Sequence, residues 1–313
     1  MSKLALIGAG NMAREHLKVM RALQDVDVVG IFSRTSSRAK ALASEFDIGF
    51  VASSIAELYE TTRADGVVIA VSEPATEASC LEAIKHPWQM LVEKPIGLSL
   101  DETKRISDAA NGMETSFYVA MNRRNYSSTR MALEEVGKIQ GARTVQIFDQ
   151  EDPLSALNGG RLKQVCDQWH FANSIHLIDL FGVFCRGAPI EVNNLVPWRP
   201  GYTAKSTHSV ISFDSGDIGI YHSVWNAPGP WSVVIETAKK RFEMRPIESF
   251  AVQTYPSRNN ELRPLADEDH DFKPGFFVQM REFLQALKGN ASNLVTLGTY
   301  LESVRLTDEL YRE

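Results

Sequence analysis

A glycine-rich segment near the start of the chain has the spacing of a nucleotide-binding turn. It lies between an apolar strand-like run and an amphipathic run, and reads Gly8-Ala9-Gly10-Asn11-Met12-Ala13. Gly8 permits a tight turn, Gly10 lets the backbone approach a pyrophosphate, and Ala13 lets the next helix pack closely. The N-terminus of that helix offers unpaired N–H groups to phosphate. The segment predicts a dinucleotide site; the alternative is a strand-to-helix turn without a ligand.

The end of the second predicted strand indicates which nicotinamide cofactor binds. It reads Phe32-Ser33-Arg34-Thr35-Ser36-Ser37-Arg38 and lacks the acidic residue that would hold a ribose 2′-hydroxyl. Ser33, Arg34 and Arg38 offer a hydroxyl and two guanidinium groups, which suit a 2′-phosphate. NADP(H) is therefore favoured over NAD(H). The alternative is a solvated turn with ordinary surface arginines.

Lys94 follows another predicted strand, at the sheet edge where open α/β folds place their ligands. Oxidation of an alcohol by hydride transfer needs a group that takes the hydroxyl proton and a cation that stabilises the developing alkoxide. A lysine partly desolvated beside a cationic nicotinamide gives up its proton more readily than one in water. Lys94 is therefore a candidate for this role, and the alternative is a solvated surface lysine.

His176 precedes Asp179 by three residues, so both side chains project from nearly the same face of a predicted helix. The carboxylate could orient the imidazole ring or accept a hydrogen bond from a sugar hydroxyl. In isolation, a histidine on an apolar helix is more often a packed core residue. His176 and Lys94 both belong to a series of motifs along the chain, which favours a functional role for His176.

Strand-length and helix-length segments alternate through residue 121, which is typical of a parallel sheet wrapped by helices. The predicted strands are Leu4–Ile7, Val28–Phe32, Gly66–Val71, Met90–Val92 and Ser116–Met121. The predicted helices are Met12–Leu23, Ser37–Phe46, Ile55–Tyr59, Thr76–Ile84 and Glu102–Ala110, with Ser54 and Asp101 as N-caps. We expect a doubly wound parallel sheet.

Beyond a predicted helix at Ser127–Val136, the pattern changes to alternating β-rich segments. These are Ala142–Phe148, Ser209–Phe213, Ile218–Val224 and Val233–Thr237, with helices near Asn173–Phe184, Phe276–Leu287 and Thr299–Leu310. We predict a Rossmann domain over residues 1–120 and an α+β substrate-binding and oligomerisation domain over 121–313, with a mostly antiparallel open sheet.

Five further motifs occur in the order found in one oxidoreductase family. They are Ser72-Glu73-Pro74-Ala75-Thr76, Val92-Glu93-Lys94-Pro95, Val119-Ala120-Met121-Asn122-Arg123-Arg124-Asn125, Ile175-His176-Leu177-Ile178-Asp179 and Lys273-Pro274-Gly275-Phe276. With the glycine-rich turn, this series resembles the Gfo/Idh/MocA family, whose hallmark is a Glu-Lys-Pro segment beside the nicotinamide. The resemblance covers essentially the whole chain.

The resemblance implies roles for named residues. His176 would act as the acid/base, with Lys94 as its relay partner or the alkoxide stabiliser. Cofactor contacts would come from Ser72, Pro74, Thr76, Glu93, Lys94, Pro95 and Asn122, and Thr76 stands where many relatives have a histidine. The fold would leave an open sheet that can pair with a second subunit, so a homodimer or homotetramer is expected.

The helix of His176 departs from the pattern of the family's sugar and polyol dehydrogenases. Those enzymes usually carry Asp four residues before the histidine and Gly two before it, whereas this chain has Ala172 and Ser174. The usual second carboxylate for substrate hydroxyls is thus missing. Asn173, His170 or Asp167 could replace it.

Other candidate substrate residues lie before this helix or in loops. Arg124 could reach cofactor or substrate, or form a surface ion pair. Trp169 and Arg161 fall where the family's substrate loop usually lies; if Arg161 and Lys163 face the pocket, a phosphorylated or nucleotide-linked sugar is favoured. The loop Trp225–Trp231 could cover a sugar or serve core or interface packing.

Composition excludes several other classes. The 313 residues are 44% hydrophobic and carry a formal charge of -6, which gives no support for nucleic acid or an anionic membrane as a partner. No signal-like or membrane-spanning run is apparent, so we expect a cytoplasmic location. The three widely spaced cysteines predict reduced buried thiols, and no residues have metal-ligand spacing.

The leading hypothesis is an NADP(H)-preferring oxidoreductase that transfers a hydride to or from a carbinol carbon of a carbohydrate or nucleotide sugar. A second hypothesis, favoured by Ala172, is a non-catalytic NADP(H)-binding sensor. A third is a redox-neutral lyase or glycosidase that keeps the cofactor bound. Retention of Lys94, His176 and Asp179 favours the enzyme, because a sensor needs no proton relay.

Overall fold

The computed structural model describes residues 1–113 and 116–312. The strands are β1 Ser2–Ile7, β2 Val26–Phe32, β3 Val51–Ala52, β4 Gly66–Ile69, β5 Gln89–Glu93, β6 Phe117–Ala120, β7 Thr144–Glu151, β8 Pro189–Val196, β9 Lys205–Phe213, β10 Ile218–Trp225, β11 Ser232–Glu236, β12 Lys240–Met244, β13 Ala251–Thr254, β14 Glu261–Leu262 and β15 Val295–Thr296. The helices are α1 Asn11–Ala22, α2 Ser36–Phe46, α3 Ile55–Thr62, α4 Thr76–Ala83, α5 Leu100–Ala109, α6 Ser127–Gly137, α7 Pro153–Asn158, α8 Lys163–Asp167, α9 Ile175–Ile178, α10 Phe181–Phe184, α11 Glu268–Asp271, α12 Phe276–Leu287 and α13 Leu297–Leu310.

A seven-stranded sheet forms the centre of the first unit, in the order β15-β6-β5-β4-β1-β2-β3. Six strands are parallel, and β15 pairs antiparallel with β6. Leu4, Leu6 and Val68 are fully buried, as expected for central strands covered on both faces. The predicted doubly wound sheet is confirmed, and each of its five predicted strands overlaps an observed one.

Of the two N-caps predicted in the first unit, Ser54 is confirmed and Asp101 is wrong. Ser54 caps α3, since its side chain accepts a hydrogen bond from Glu57 N. Asp101 does not cap α5; the cap is Ser99, whose Oγ accepts from Glu102 N at 3.1 Å. Glu102 in turn accepts from Leu98 N, so a reciprocal pair of hydrogen bonds sets the start two residues earlier.

The second sheet has eight strands in the order β14-β13-β12-β11-β7-β10-β9-β8. All pairs are antiparallel except β7 with β10. Side chains of β7 and β9 alternate between buried and half-buried, so this sheet packs one face and leaves the other open. The predicted mostly antiparallel open sheet is confirmed.

The helix predicted near Asn173–Phe184 is interrupted. A π turn at His170–Ser174 precedes α9 and α10. A π turn holds one residue more than an α turn and often occurs at functional sites. It therefore changes which direction the residues before His176 face.

The chain divides into two compact units, Met1–Asn122 with His270–Leu301, and Arg123–Asp269 with Glu302–Glu313. The prediction places residues 270–301 in the second domain, whereas the structure places them in the first unit. Phe276, Met280 and Phe283 of α12 belong to the buried core that includes Leu4 and Val68, which is why this segment returns to the first unit. The functions assigned to the two predicted domains stay predictions.

Cys80, Cys166 and Cys185 are buried, as predicted. In the described ranges, no helix is long and apolar enough to cross a membrane. Nor do the described side chains include a group of three or more His, Cys, Asp or Glu residues that could hold a metal ion.

Candidate active site

The turn after β1 requires glycine at its first position. Gly8 has φ of +121°, and a Cβ there would lie 2.0 Å from the backbone oxygen of Ala70. Its N–H donates to Phe32 O at 2.8 Å, which ties the turn to the end of β2. No other residue type fits this position without moving β4 or the segment after it.

Gly10 is needed for a different reason. A Cβ there would meet nothing within 4 Å, so the backbone is open to an approaching group. Gly10 is the N-cap of α1, and the helix start has neither a side-chain cap nor an acidic residue in its first turn. The open backbone and uncapped amides, from Ala9 through Met12, fit the pyrophosphate of a dinucleotide.

The residues predicted to select the cofactor follow β2 directly. Arg34 and Arg38 are exposed, and Ser33 is half-buried. Ser33 Oγ accepts from Thr35 N at 3.3 Å. Among the described residues, no ion pair is recorded for either arginine. Both guanidinium groups are available to an anion.

Lys94 directly follows β5 and is half-buried, and the peptide bond to Pro95 is cis. Its neighbour Glu93 is hydrogen-bonded to His16, with 2.7 Å between Glu93 Oε1 and His16 Nε2. His16 is fully buried and stacks on Phe276, with ring centroids 4.7 Å apart. The helix that begins at the glycine turn thus holds the end of β5 that leads to Lys94.

The remaining predicted cofactor residues of the first unit lie at the ends of strands. Ser72 and Pro74 are exposed after β4, whereas Thr76 is buried at the start of α4. Asn122 is buried, and its Nδ2 donates to Pro274 O at 3.0 Å. Asn122 therefore links two of the quoted motifs within this unit; its role toward a cofactor stays a prediction.

In the second unit, His176 lies in α9 and is 2% exposed. Asp179, just after α9, accepts two hydrogen bonds of 2.7 Å from Arg124 and one of 2.7 Å from Ser303. Asp179 is also buried, so this bidentate pair fixes Arg124 against the helix. Of the alternatives for Arg124, an ion pair is confirmed, but a buried one rather than a surface one.

Trp169 and Asn173, two predicted substrate residues, share one hydrogen-bond acceptor. Asn173 Nδ2 donates to Glu151 Oε2 at 2.8 Å, and Trp169 Nε1 donates to the same oxygen. Trp169 and Glu151 are buried, while Asn173 is half-buried. Arg161 is exposed, 5.9 Å from the Trp169 ring centroid.

Glu151 was not recognised in the sequence, nor was its neighbour Asp149. The two carboxyls lie close enough to affect each other's pKa. Burial, reinforced by the charge of Asp149, raises the pKa of Glu151 well above its usual value, and burial also raises that of Asp149. Tyr221 OH donates to Asp149 Oδ2 at 2.6 Å. The pair thus forms a buried carboxyl cluster that holds a proton.

Aromatic side chains surround this carboxyl cluster. Tyr311 OH lies 2.8 Å from Tyr221 OH, and Trp225 Nε1 donates to Tyr311 OH at 3.2 Å. Burial lowers the pKa of His170, which stacks on Tyr311, to about 3, so the imidazole is neutral. Trp225 is therefore a core residue of the second unit, whereas Trp231 lies under the Arg123 guanidinium at 4.4 Å.

Comparison with known proteins reveals relatives of this chain. Residues 2–121 match the model of an oxidoreductase family with an NAD-binding Rossmann fold. The chain is 23% identical over 311 residues to scyllo-inositol 2-dehydrogenase (NADP(+)) of Bacillus subtilis, covering 93% of this chain and 89% of that enzyme. Residues 2–121 thus match the Gfo/Idh/MocA family of oxidoreductases, and over most of its length the chain is similar to that dehydrogenase.

Two further comparisons differ in how much of each chain they cover. Glucose-6-phosphate 3-dehydrogenase of Bacillus subtilis is 25% identical over 127 residues, covering 41% of this chain; the chain spans only 35% of that relative. The structure of UDP-N-acetylglucosamine 3-dehydrogenase from Acidithiobacillus ferrooxidans superposes with a TM-score of 0.79 at 15% identity. That match covers 99% of this chain and 96% of the other, and at this identity it establishes the fold alone.

Proposed function

We propose that this protein is an NADP(H)-dependent oxidoreductase of the Gfo/Idh/MocA family that transfers a hydride to or from a carbinol carbon of a carbohydrate or nucleotide sugar. The observation that carries the proposal is the Gly8–Gly10 cradle at an uncapped helix, in the same unit as a half-buried Lys94 after β5. A bound nicotinamide dinucleotide supplies or accepts the hydride. The chain itself must handle the hydroxyl proton.

Lys94 and His176 are the residues we assign to that proton. The Lys94 ammonium stabilises the developing alkoxide, and His176 takes the hydroxyl proton or returns it in the reverse reaction. The His16–Glu93 hydrogen bond supports Lys94 by fixing the residue before it. The Arg124–Asp179 pair supports His176 by anchoring the end of its helix.

We assign cofactor choice to Ser33, Arg34 and Arg38, because a free guanidinium attracts a 2′-phosphate and no acidic side chain repels it. One relative's name specifies NADP(+), which supports this assignment. Arg34→Ser should raise KM for NADPH about tenfold and leave KM for NADH unchanged. Lys40→Ser, which removes an exposed cation on α2 six residues later, is the control. Equal effects on both cofactors would contradict the assignment.

A carbohydrate substrate is supported by two relatives, whose names specify scyllo-inositol and glucose 6-phosphate. UDP-N-acetylglucosamine, the compound named for the structural neighbour, is a third compound to test. Arg161 is exposed beside Trp169, so a phosphate-bearing sugar is the variant of this proposal that uses it. Lys163 pairs with Asp167, with 2.7 Å between Lys163 Nζ and Asp167 Oδ2.

The test is absorbance-monitored turnover with NADP(H) and NAD(H) on those three compounds, for wild type, Lys94→Met and Lys104→Met. Lys104 is an exposed lysine of α5 and serves as the matched control. We expect turnover that is lost in Lys94→Met alone. No turnover by a protein that binds NADPH would reject the dehydrogenase and favour the sensor or the redox-neutral lyase.

The second sheet has exposed apolar side chains that could pair with a second copy of the chain. The open face and the β8 edge of the second sheet expose Ile190, Leu195 and Ile220, with 67%, 62% and 36% of their surface accessible. We propose a homodimer or homotetramer through this sheet, in the cytoplasm. A molar mass of one chain by light scattering would contradict the oligomer.

A further inference from the structure

The Asn173 side chain is held in one orientation by a residue that lies too deep to touch a substrate. We propose that Glu151, hydrogen-bonded to Asp149, is a positioning residue that turns the Asn173 amide so that its Oδ1 accepts a hydrogen bond from a substrate hydroxyl. The inference rests on the proposed function for its substrate class. It deepens that proposal by assigning the missing carboxylate's task to Asn173.

The orientation of the amide follows from the partners of one oxygen. Glu151 Oε2 accepts from Trp169 Nε1, which can only donate. The Asn173 atom 2.8 Å from the same oxygen must therefore be Nδ2, also a donor. The other edge of the amide, which is left for a further partner, then carries the acceptor Oδ1.

The carboxyl pair fixes which Glu151 oxygen is the acceptor. Asp149 Oδ1 and Glu151 Oε1 are both buried without a hydrogen-bond partner among the other described residues, and the two carboxyls interact with each other. Two carboxyl oxygens can share a hydrogen bond only if one carries a proton. Tyr221 already donates to Asp149 Oδ2, so the proton lies on Glu151 Oε1 and points to Asp149. Oε2 is then a pure acceptor.

Charge in this region is consistent with one shared proton. Arg123 has a buried Nε and is attracted electrostatically by both Glu151 and Asp149. One ionised carboxyl balances this cation, whereas two would leave an uncompensated negative charge out of water. Glu151 is therefore neutral and keeps Asn173 in place without presenting a charge to the substrate.

Asn173 is placed to meet a ligand, unlike the residues around it. Between residues 171 and 181 it is the one residue that is not buried. It also lies in the π turn, directly after Ala172, where the dehydrogenase pattern of the family has its aspartate. A neutral amide oxygen then accepts the hydroxyl hydrogen bond that a carboxylate would otherwise accept.

The functional test uses whichever of scyllo-inositol, glucose 6-phosphate and UDP-N-acetylglucosamine is turned over fastest. Asn173→Ala and Glu151→Leu should each raise KM for that compound about tenfold, with KM for NADPH unchanged. Glu151→Gln should restore most of the loss, because its amide donates to Asp149 and its oxygen accepts from Asn173. Asn193→Ala, an exposed asparagine of β8, is the control.

A double variant distinguishes positioning from general disruption. If Glu151 acts through Asn173, then Glu151→Leu should add no more than about twofold to KM once Asn173 is alanine. Independent, multiplying effects would overturn the inference. If Glu151→Leu fails to fold, Glu151→Ala takes its place in the single and the double variant, and the same comparison decides.

A spectroscopic arm separates this inference from the proposed function. Difference infrared spectra in H2O and D2O should contain a protonated carboxyl band that Glu151→Gln removes. The Asn173 side-chain amide protons should exchange slowly in wild type and Glu151→Gln, and quickly in Glu151→Leu or, failing that, Glu151→Ala. Absence of the band, or equal exchange in all variants, overturns the inference even when no compound is turned over.

Discussion

Two buried carboxyl groups in the second unit lie in opposite charge states. Asp217 accepts hydrogen bonds from Arg143 N and Arg186 N at 2.9 Å, and from the Arg186 guanidinium at 2.6 Å. Burial alone raises the pKa of Asp217, but these donors outweigh burial and lower it to about 2. Glu151 is similarly buried, yet its pKa is raised well above the usual value.

The difference shows that burial keeps a carboxyl neutral unless enough donors offset it. Asp217 meets a guanidinium and two backbone amides, which all favour the carboxylate. Glu151 meets a second carboxyl, which can bond to it only through a proton. Asp217 is therefore a structural anion, while Glu151 is a neutral scaffold for Asn173.

The largest expected effect comes from Asp217→Asn. An amide offers one acceptor oxygen where Asp217 uses two, and Arg143 and Arg186 lose their counter-charge. We expect a loss of about 3 kcal/mol in the free energy of unfolding, measured by urea denaturation. Asp214→Asn, at an exposed position three residues earlier, is the control. Equal losses in the two variants would contradict the role of Asp217.

The pH dependence of that loss is the next largest effect. The pKa of Asp217 is about 2 in the folded protein against an ordinary 3.8, so its carboxylate stabilises the fold above about pH 4. This contribution disappears as the pH falls through the folded value. The stability difference between wild type and Asp217→Asn should shrink by up to about 2 kcal/mol as the pH falls from 5 toward 2. A stability difference between wild type and Asp217→Asn that does not change with pH would contradict the lowered pKa of Asp217.

The smallest expected effect on stability is that of Glu151→Gln. Its pH dependence is opposite to that of Asp217, because wild type loses stability as the pH rises. Glutamine reproduces the protonated side chain, so stability at pH 5 should change by less than about 1 kcal/mol. Above the unfolded pKa, folded wild type keeps a proton that the unfolded chain releases, so wild type loses stability as the pH rises. Melting temperatures at pH 5 and pH 8 should favour the variant more at pH 8. The reverse trend would mean that Glu151 is ionised.

Local patterns in the sequence predict some of these features and not others. The Gly8–Gly10 turn was identified because its geometry depends on adjacent residues. The predicted N-cap of α5 is wrong because Ser99 and Asp101 are both good N-cap residues. The hydrogen bond that Glu102 accepts from Leu98 N decides in favour of Ser99.

The carboxyl cluster depends on partners that are distant along the chain. Glu151 meets Asn173 22 residues later, and Asp149 meets Tyr221 72 residues later. The signal that could have found both carboxyls is the alternation in β7, which places them on the same buried face as Ile147. No such local signal links His16 to Glu93, 77 residues later.

The most direct test of the proposed oxidoreductase follows deuterium from scyllo-inositol, glucose 6-phosphate or UDP-N-acetylglucosamine, labelled at its carbinol carbons, into NADP+. We predict that wild type and Lys104→Met produce deuterated NADPH, and that Lys94→Met forms it at least about a hundredfold more slowly. Absence of deuterium in the cofactor, from a protein that binds NADPH, would contradict hydride transfer as the function of this chain.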